Sequence, residues 1–125
     1  MPADVTLDPA TGIWTLTLRG ALEAAEVARA IGGMYASPDY RPEAPRMYDV
    51  REVEDTIRTH DLRALAHRKE FLTSVRQARS AIVVAKDVTF GIARMYQSWM
   101  EGQPVDVRIF HAVEEARAWL RRETD

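Results

Sequence analysis

Residues 81–120 read AIVVAKDVTFGIARMYQSWMEGQPVDVRIFHAVEEARAWL, and the fold is decided there. Ala81-Ile82-Val83-Val84-Ala85 is apolar without alternation, the pattern of a central strand covered on both faces. Asp87-Val88-Thr89 opens a helix, and Gly102-Gln103-Pro104 makes a turn before a second strand, Val105–Phe110. A closing helix follows over Ala112–Leu120. On it Val113, Ala116, Trp119 and Leu120 share a stripe, so Trp119 is expected to anchor the helix to the sheet.

Working outward, Val5-Thr6-Leu7 and Ile13–Leu18 alternate apolar with polar residues around Asp8-Pro9-Ala10-Thr11-Gly12. That is a β-hairpin pattern, with Pro presetting the turn and Gly supplying positive φ. Gly20 marks the exit from its second strand. Leu22 to Tyr35 carries apolar residues at helical spacing, but Gly32-Gly33 is costly in a helix interior and predicts a frayed last turn or a close packing contact. Ser37–Pro45, with three prolines, is an ordered or semi-ordered loop. A third strand, Met47–Val50, leads through a polar connection, Glu52–Thr59, to a helix running to about Arg76. Thr59 or His60 caps that helix, and Asp61 suits its first turn. The whole chain, 1–125, reads as one α/β domain in the order ββαβαβαβα. Its mainly parallel five-stranded sheet has an N-terminal antiparallel hairpin, with helices packed on it.

Composition narrows the function. The 125 residues contain no cysteine, which removes disulfides, zinc–thiolate sites and thiol catalysis and fits a reducing cytoplasm. Seventeen basic and nineteen acidic residues give a net charge of −2 without a basic stripe, so no nucleic-acid partner is expected. The N-terminus lacks a signal-peptide pattern, and no apolar run approaches the roughly 20 residues of a membrane span. The expected location is the cytoplasm.

Several residues invite a functional reading. In the helix after Asp87, Ile92, Ala93, Met95, Tyr96, Trp99 and Met100 fall within one arc of roughly 160°, a core stripe. Phe90 lies outside it, in the first turn, beyond the C-terminal end of a central strand. Open α/β sheets bind ligands at that edge. Phe90 therefore either plugs a gap against a neighbouring loop or contacts a partner. Arg68 sits in the middle of an apolar helix face, either snorkelling to water, pairing with a carboxylate such as Asp49 or Asp87, or binding an acidic ligand. His60, His67 and His111 do not form an i, i+3 or i, i+4 pair, and His67 with Glu70 makes only two ligands, so no metal site is expected. No serine lies in a nucleophile elbow, and no cofactor motif occurs.

FGIARMYQ and RIFHAVEEARAWL, with the D-x-T-F-G helix start at Asp87–Gly91, Arg94 one turn in and the closing E-E-A-x-A-W-L, resemble the bacterial SpoIIAA-like family, also called STAS/SEC14 domains. The likeness is strongest over Ser80–Leu120. It implies a STAS-like fold and kinship with anti-sigma-factor antagonists and, more distantly, with lipid-binding SEC14 domains. In the best-known antagonists a strand ending in aspartate leads to a serine that a partner kinase phosphorylates. Here Asp49-Val50-Arg51-Glu52-Val53 resembles the strand, but Ile57-Arg58-Thr59-His60 follows it, and the serine position falls at about Arg58. The phosphorylation switch therefore does not carry over.

The expectation is a non-enzymatic STAS-like interaction module, regulatory in role, that binds an unidentified protein partner or a second copy of itself. The alternative is a small apolar-ligand or lipid-binding domain, although a cavity of some 300 Å³ is hard to fit in so small a core. The expected contact residues for a partner or an anionic ligand are Phe90, Thr89 and Arg94, joined by Arg58, Thr59 and His60.

Overall fold

In the computed structural model, which describes residues 3–21, 23–55, 63–64, 78–85 and 87–121, the apolar run at Ala81 forms an interior strand of a mixed sheet. The elements in chain order are β1 (Ala3–Leu7), β2 (Trp14–Ala21), α1 (Ala24–Ala36), β3 (Arg46–Asp55), β4 (Arg79–Val83), α2 (Asp87–Trp99), β5 (Asp106–Phe110) and α3 (Val113–Arg121). Strand order follows the sequence, β1-β2-β3-β4-β5. Only β1–β2 is antiparallel; β2–β3, β3–β4 and β4–β5 are parallel. The described residues hold three helices. Of the helix expected up to Arg76, Arg63 and Ala64 are helical, and the remainder lies outside the described residues.

The hairpin forms for the reason its sequence gives. Asp8 accepts from the Ala10 N–H and the Thr11 hydroxyl, both at 3.0 Å, and Gly12 closes the turn at φ 75°. Gly20 does not end β2 as its sequence position implied. It adopts φ 66° between two register shifts, and β2 continues to Ala21. That continuation explains a second difference. The polar stretch 51–55 is strand, because Glu52, Val53 and Asp55 pair with Arg19, Gly20 and Ala21 across the irregularity.

Two of the crossovers, β2-α1-β3 and β4-α2-β5, advance in the same direction across the sheet. Their helices consequently cover the same face, as a common handedness requires. Leu16, Leu18, Val27, Ile31, Val53, Ile82, Val84, Ala93, Met100 and Val107 make the core on that side. On the other face α3 packs Ala116, Trp119 and Leu120 against Ile13, Met47, Ala81 and Val83. Ala81, Val83 and Val84 have no exposed surface at all, which is the two-sided burial their apolar run predicts.

Gly32 and Gly33 do not lie in a frayed turn: α1 runs through both to Ala36, and a Cβ at either would meet no described atom within 4 Å. Arg46, at the start of β3, is 1% exposed. It donates to the carbonyls of Pro42 (2.9 Å) and Ala44 (3.3 Å), and its guanidinium lies 5.5 Å from the Tyr40 ring centre. These bonds fasten the proline-rich loop to the sheet.

Trp119 anchors α3 as its stripe predicts. It is 7% exposed, its ring lies 5.7 Å from Phe110, and Arg108 and Arg79 stand 5.1 and 5.9 Å over it. Removing so large a buried ring costs about 3–5 kcal/mol. Trp119→Ala should lower the thermal midpoint by on the order of 10 °C, measured by circular dichroism. A change of only about one degree would make α3 peripheral.

Candidate functional site

β4 and β5 end on one line, beside the point where β3 continues past them along β2. Asp49 of β3 is in register with Val83 of β4, and Val83 with Phe110 of β5. The Val84 N–H continues the ladder to the Phe110 carbonyl at 2.9 Å. Beyond this line lie the start of α2, the bend at His111 and the first turn of α3. Crevices outside the carboxyl ends of parallel strands are where open α/β sheets bind ligands.

Phe90 is at this edge, in the first turn of α2, and is 38% exposed. Its ring stacks on His111, with centroids 5.9 Å apart and planes inclined by 24°. Both residues are exposed, so the stack is a surface feature and Phe90 does not fill the core. Arg94 is exposed one helical turn further on, and Thr89 belongs to the same first turn as Phe90. Arg58, Thr59 and His60 lie outside the described residues, as do Arg68, His67 and Glu70.

The α2 helix is held in place by its opposite face. Ala93 and Met100 are buried, Tyr96 and Trp99 pack against the core, and Gln97 Nε2 donates to the Val107 carbonyl at 2.9 Å. The residues that fix α2 are therefore distinct from the one it displays.

His111 was absent from the expected contact residues, because its sequence context spoke only to metal ligation. Its place follows from counting strand ends: it is the residue after Phe110, and the register sets Phe110 beside Val83, just before α2. Among the described residues no group of three His, Asp or Glu side chains could hold a metal ion.

Charge at the edge is locally neutralised. Arg51 grips Asp49 with Nε to Oδ1 at 2.9 Å and Nη2 to Oδ2 at 2.8 Å, and its own N–H donates to Oδ1 at 3.2 Å. Asp49 is thus engaged by its own strand neighbour. Burial pushes its carboxyl up, but the bonds from Arg51 outweigh this and hold it below the ordinary aspartate value. Arg51 is raised by the same hydrogen bonds, and Glu52 and Glu114 reinforce its charge. Further along, Arg19 bridges Asp4 and Glu52.

A second polar group lies inside the molecule. The hydroxyl oxygens of Tyr48 and Tyr96 are buried, with their rings edge to face at 6.0 Å. Burial raises both phenols, Tyr96 the more strongly. Burial also works against the Arg46 charge, yet the neighbouring phenols of Tyr48 and Tyr40 more than compensate and hold it above its ordinary value. Neutral phenols facing a fixed cation form an internal polar layer between β3 and α2.

The chain matches no protein-family model and no curated protein. Among solved structures it is similar to an uncharacterized protein of the DUF3478 family from Shewanella loihica PV-4, which has a SpoIIAA-like fold. The TM-score is 0.61 at 19% identity, over 94% of this chain and 91% of that one. The chain therefore has a SpoIIAA-like fold, an α/β architecture with an N-terminal antiparallel hairpin. No helix among the described residues is long and apolar enough to cross a membrane.

The Asp49–Arg51 pair has a measurable pH signature. The folded carboxyl sits below its unfolded value, so the pair's stabilisation is present above about pH 4 and is lost as pH falls through the folded value. Asp49→Asn should therefore be less stable than wild type at pH 7, with the difference shrinking toward about pH 2. Urea unfolding at both pH values checks this; a constant or growing difference would contradict it.

Proposed function

We propose that this chain is a non-enzymatic protein-interaction module whose contact surface is the edge bearing the Phe90–His111 stack. The observation that carries the proposal is that, among the described residues, Phe90 is the one large apolar side chain left exposed. An exposed aromatic ring braced by a second ring, on a helix fixed by its other face, suits a rigid anchor. Such aromatic residues dominate the energy of protein interfaces. Arg94 and the positive end of the α2 helix dipole add a cationic flank, so an acidic segment of a cytoplasmic partner protein fits best. The sequence supports a non-enzymatic role because it lacks a nucleophile elbow and any cofactor motif. The position corresponding to the phosphorylatable serine of the antagonists falls at Arg58, so regulation would proceed by binding and not by phosphorylation there.

The test is a partner isolated on the immobilised chain from a bacterial extract, purified, and titrated against wild type and Phe90→Ala. Truncating a central aromatic anchor should weaken binding by about tenfold or more and leave the thermal midpoint nearly unchanged. A large loss of stability with unchanged affinity would return Phe90 to a structural role and remove this surface.

A further inference from the structure

At the opposite side of the sheet, far from Phe90, β1 forms an edge whose backbone groups are arranged for a second strand. The Asp8 N–H donates to the Ile13 carbonyl at 3.0 Å, while the Trp14 N–H turns the other way, to Pro45. With the observed register, Asp4–Thr17 and Thr6–Thr15 are then the hydrogen-bonded pairs of the hairpin. Ala3, Val5 and Leu7 consequently direct their N–H and C=O groups out of the sheet, and all three side chains are only half-buried. Exposed edges are normally blunted by lysine, proline or a bulge. β1 contains none of these, and its pairing with β2 is regular. The other edge, β5, carries two exposed charges, Asp106 and Arg108, whereas the one charge of β1, Asp4, is paired with Arg19 of β2.

We infer that β1 pairs antiparallel with β1 of a second copy of this chain, about a two-fold axis at Val5. Only that register suits the residues. It sets Val5 opposite Val5 and Ala3 opposite Leu7, so that every outward-facing residue exchanges both hydrogen bonds with its partner, six in all by the antiparallel pattern, roughly two per pair. It also sets each Asp4 carboxylate opposite a Thr6 hydroxyl. Moving the axis to Asp4 places two carboxylates face to face. Moving it to Thr6 opposes Asp4 to Asp8 and Ala3 to Pro9, which has no N–H to give. Like charges directly opposite one another are destabilising.

The chain has no cysteine, which makes the register directly testable. Val5→Cys places two thiols across the axis at a Cα separation of about 5.5 Å, within disulfide reach. Leu7→Cys places them four residues out of register, about 13 Å apart. Under one mild oxidant Val5→Cys should form disulfide-linked dimers at least tenfold faster than Leu7→Cys. Sedimentation equilibrium of wild type should show a concentration-dependent approach to twice the chain mass. Val5→Pro, which removes an outward N–H and leaves the β1–β2 ladder intact, should shift that association toward monomer. Should Val5→Pro fail to fold, the cysteine comparison still decides. A wild type that stays monomeric to high micromolar concentration, or equal cross-linking rates, would overturn the inference. Either result leaves the Phe90 surface untouched, because that surface lies at the sheet's C-terminal edge.

Discussion

The structure depends on the burial of β4 from both sides. Ala81, Ile82, Val83 and Val84 are 0–4% exposed, with α2 on one side and α3 on the other. A strand so enclosed cannot slip: a one-residue shift in register would exchange its two apolar faces and displace β3 and β5 with it. The line from Asp49 through Val83 to Phe110 is fixed as a result. Everything that follows β4 and β5 in the chain emerges at one edge, and the proposed contact surface exists because two of those exits are neighbours.

Stability and display are separated within the same helices. α2 turns Ala93, Tyr96, Trp99 and Met100 inward and is tethered by Gln97, while Phe90 and Arg94 face out. α3 is fixed by Trp119, whose ring contacts Phe110 and two arginines. This division allows the outward residues of α2 to be changed without disturbing the core. The internal layer of Arg46, Tyr48 and Tyr96 belongs to the structural side of that division: its polar atoms are buried and it holds the Pro42–Ala44 loop in place.

Much of this was legible in the sequence where a side-chain pattern had one physical meaning. Unbroken apolar character gave the central strand, alternation around Asp8–Gly12 gave the hairpin, and the Val113–Leu120 stripe gave the role of Trp119. The failures are positions decided by pairing across the sheet. Residues 51–55 look like a polar connector and become strand because Gly20 can adopt positive φ and let β2 continue beside them. Arg46 carries no local mark of burial, because its burial depends on carbonyls and a phenol of the preceding loop and on Tyr48 two residues along its own strand. Phe90 was visible as the residue outside its helix stripe. His111 was not, since its neighbour is set by the β4–β5 register and not by any local motif.

The central claim is that this register brings Phe90 and His111 together as an exposed stack. The most direct measurement is the NMR spectrum of the His111 ring in wild type and in Phe90→Leu. The account predicts His111 ring protons shifted upfield by the Phe90 ring in wild type, returning toward those of an isolated exposed histidine in the variant. Ring-proton shifts that are the same in both proteins would contradict it.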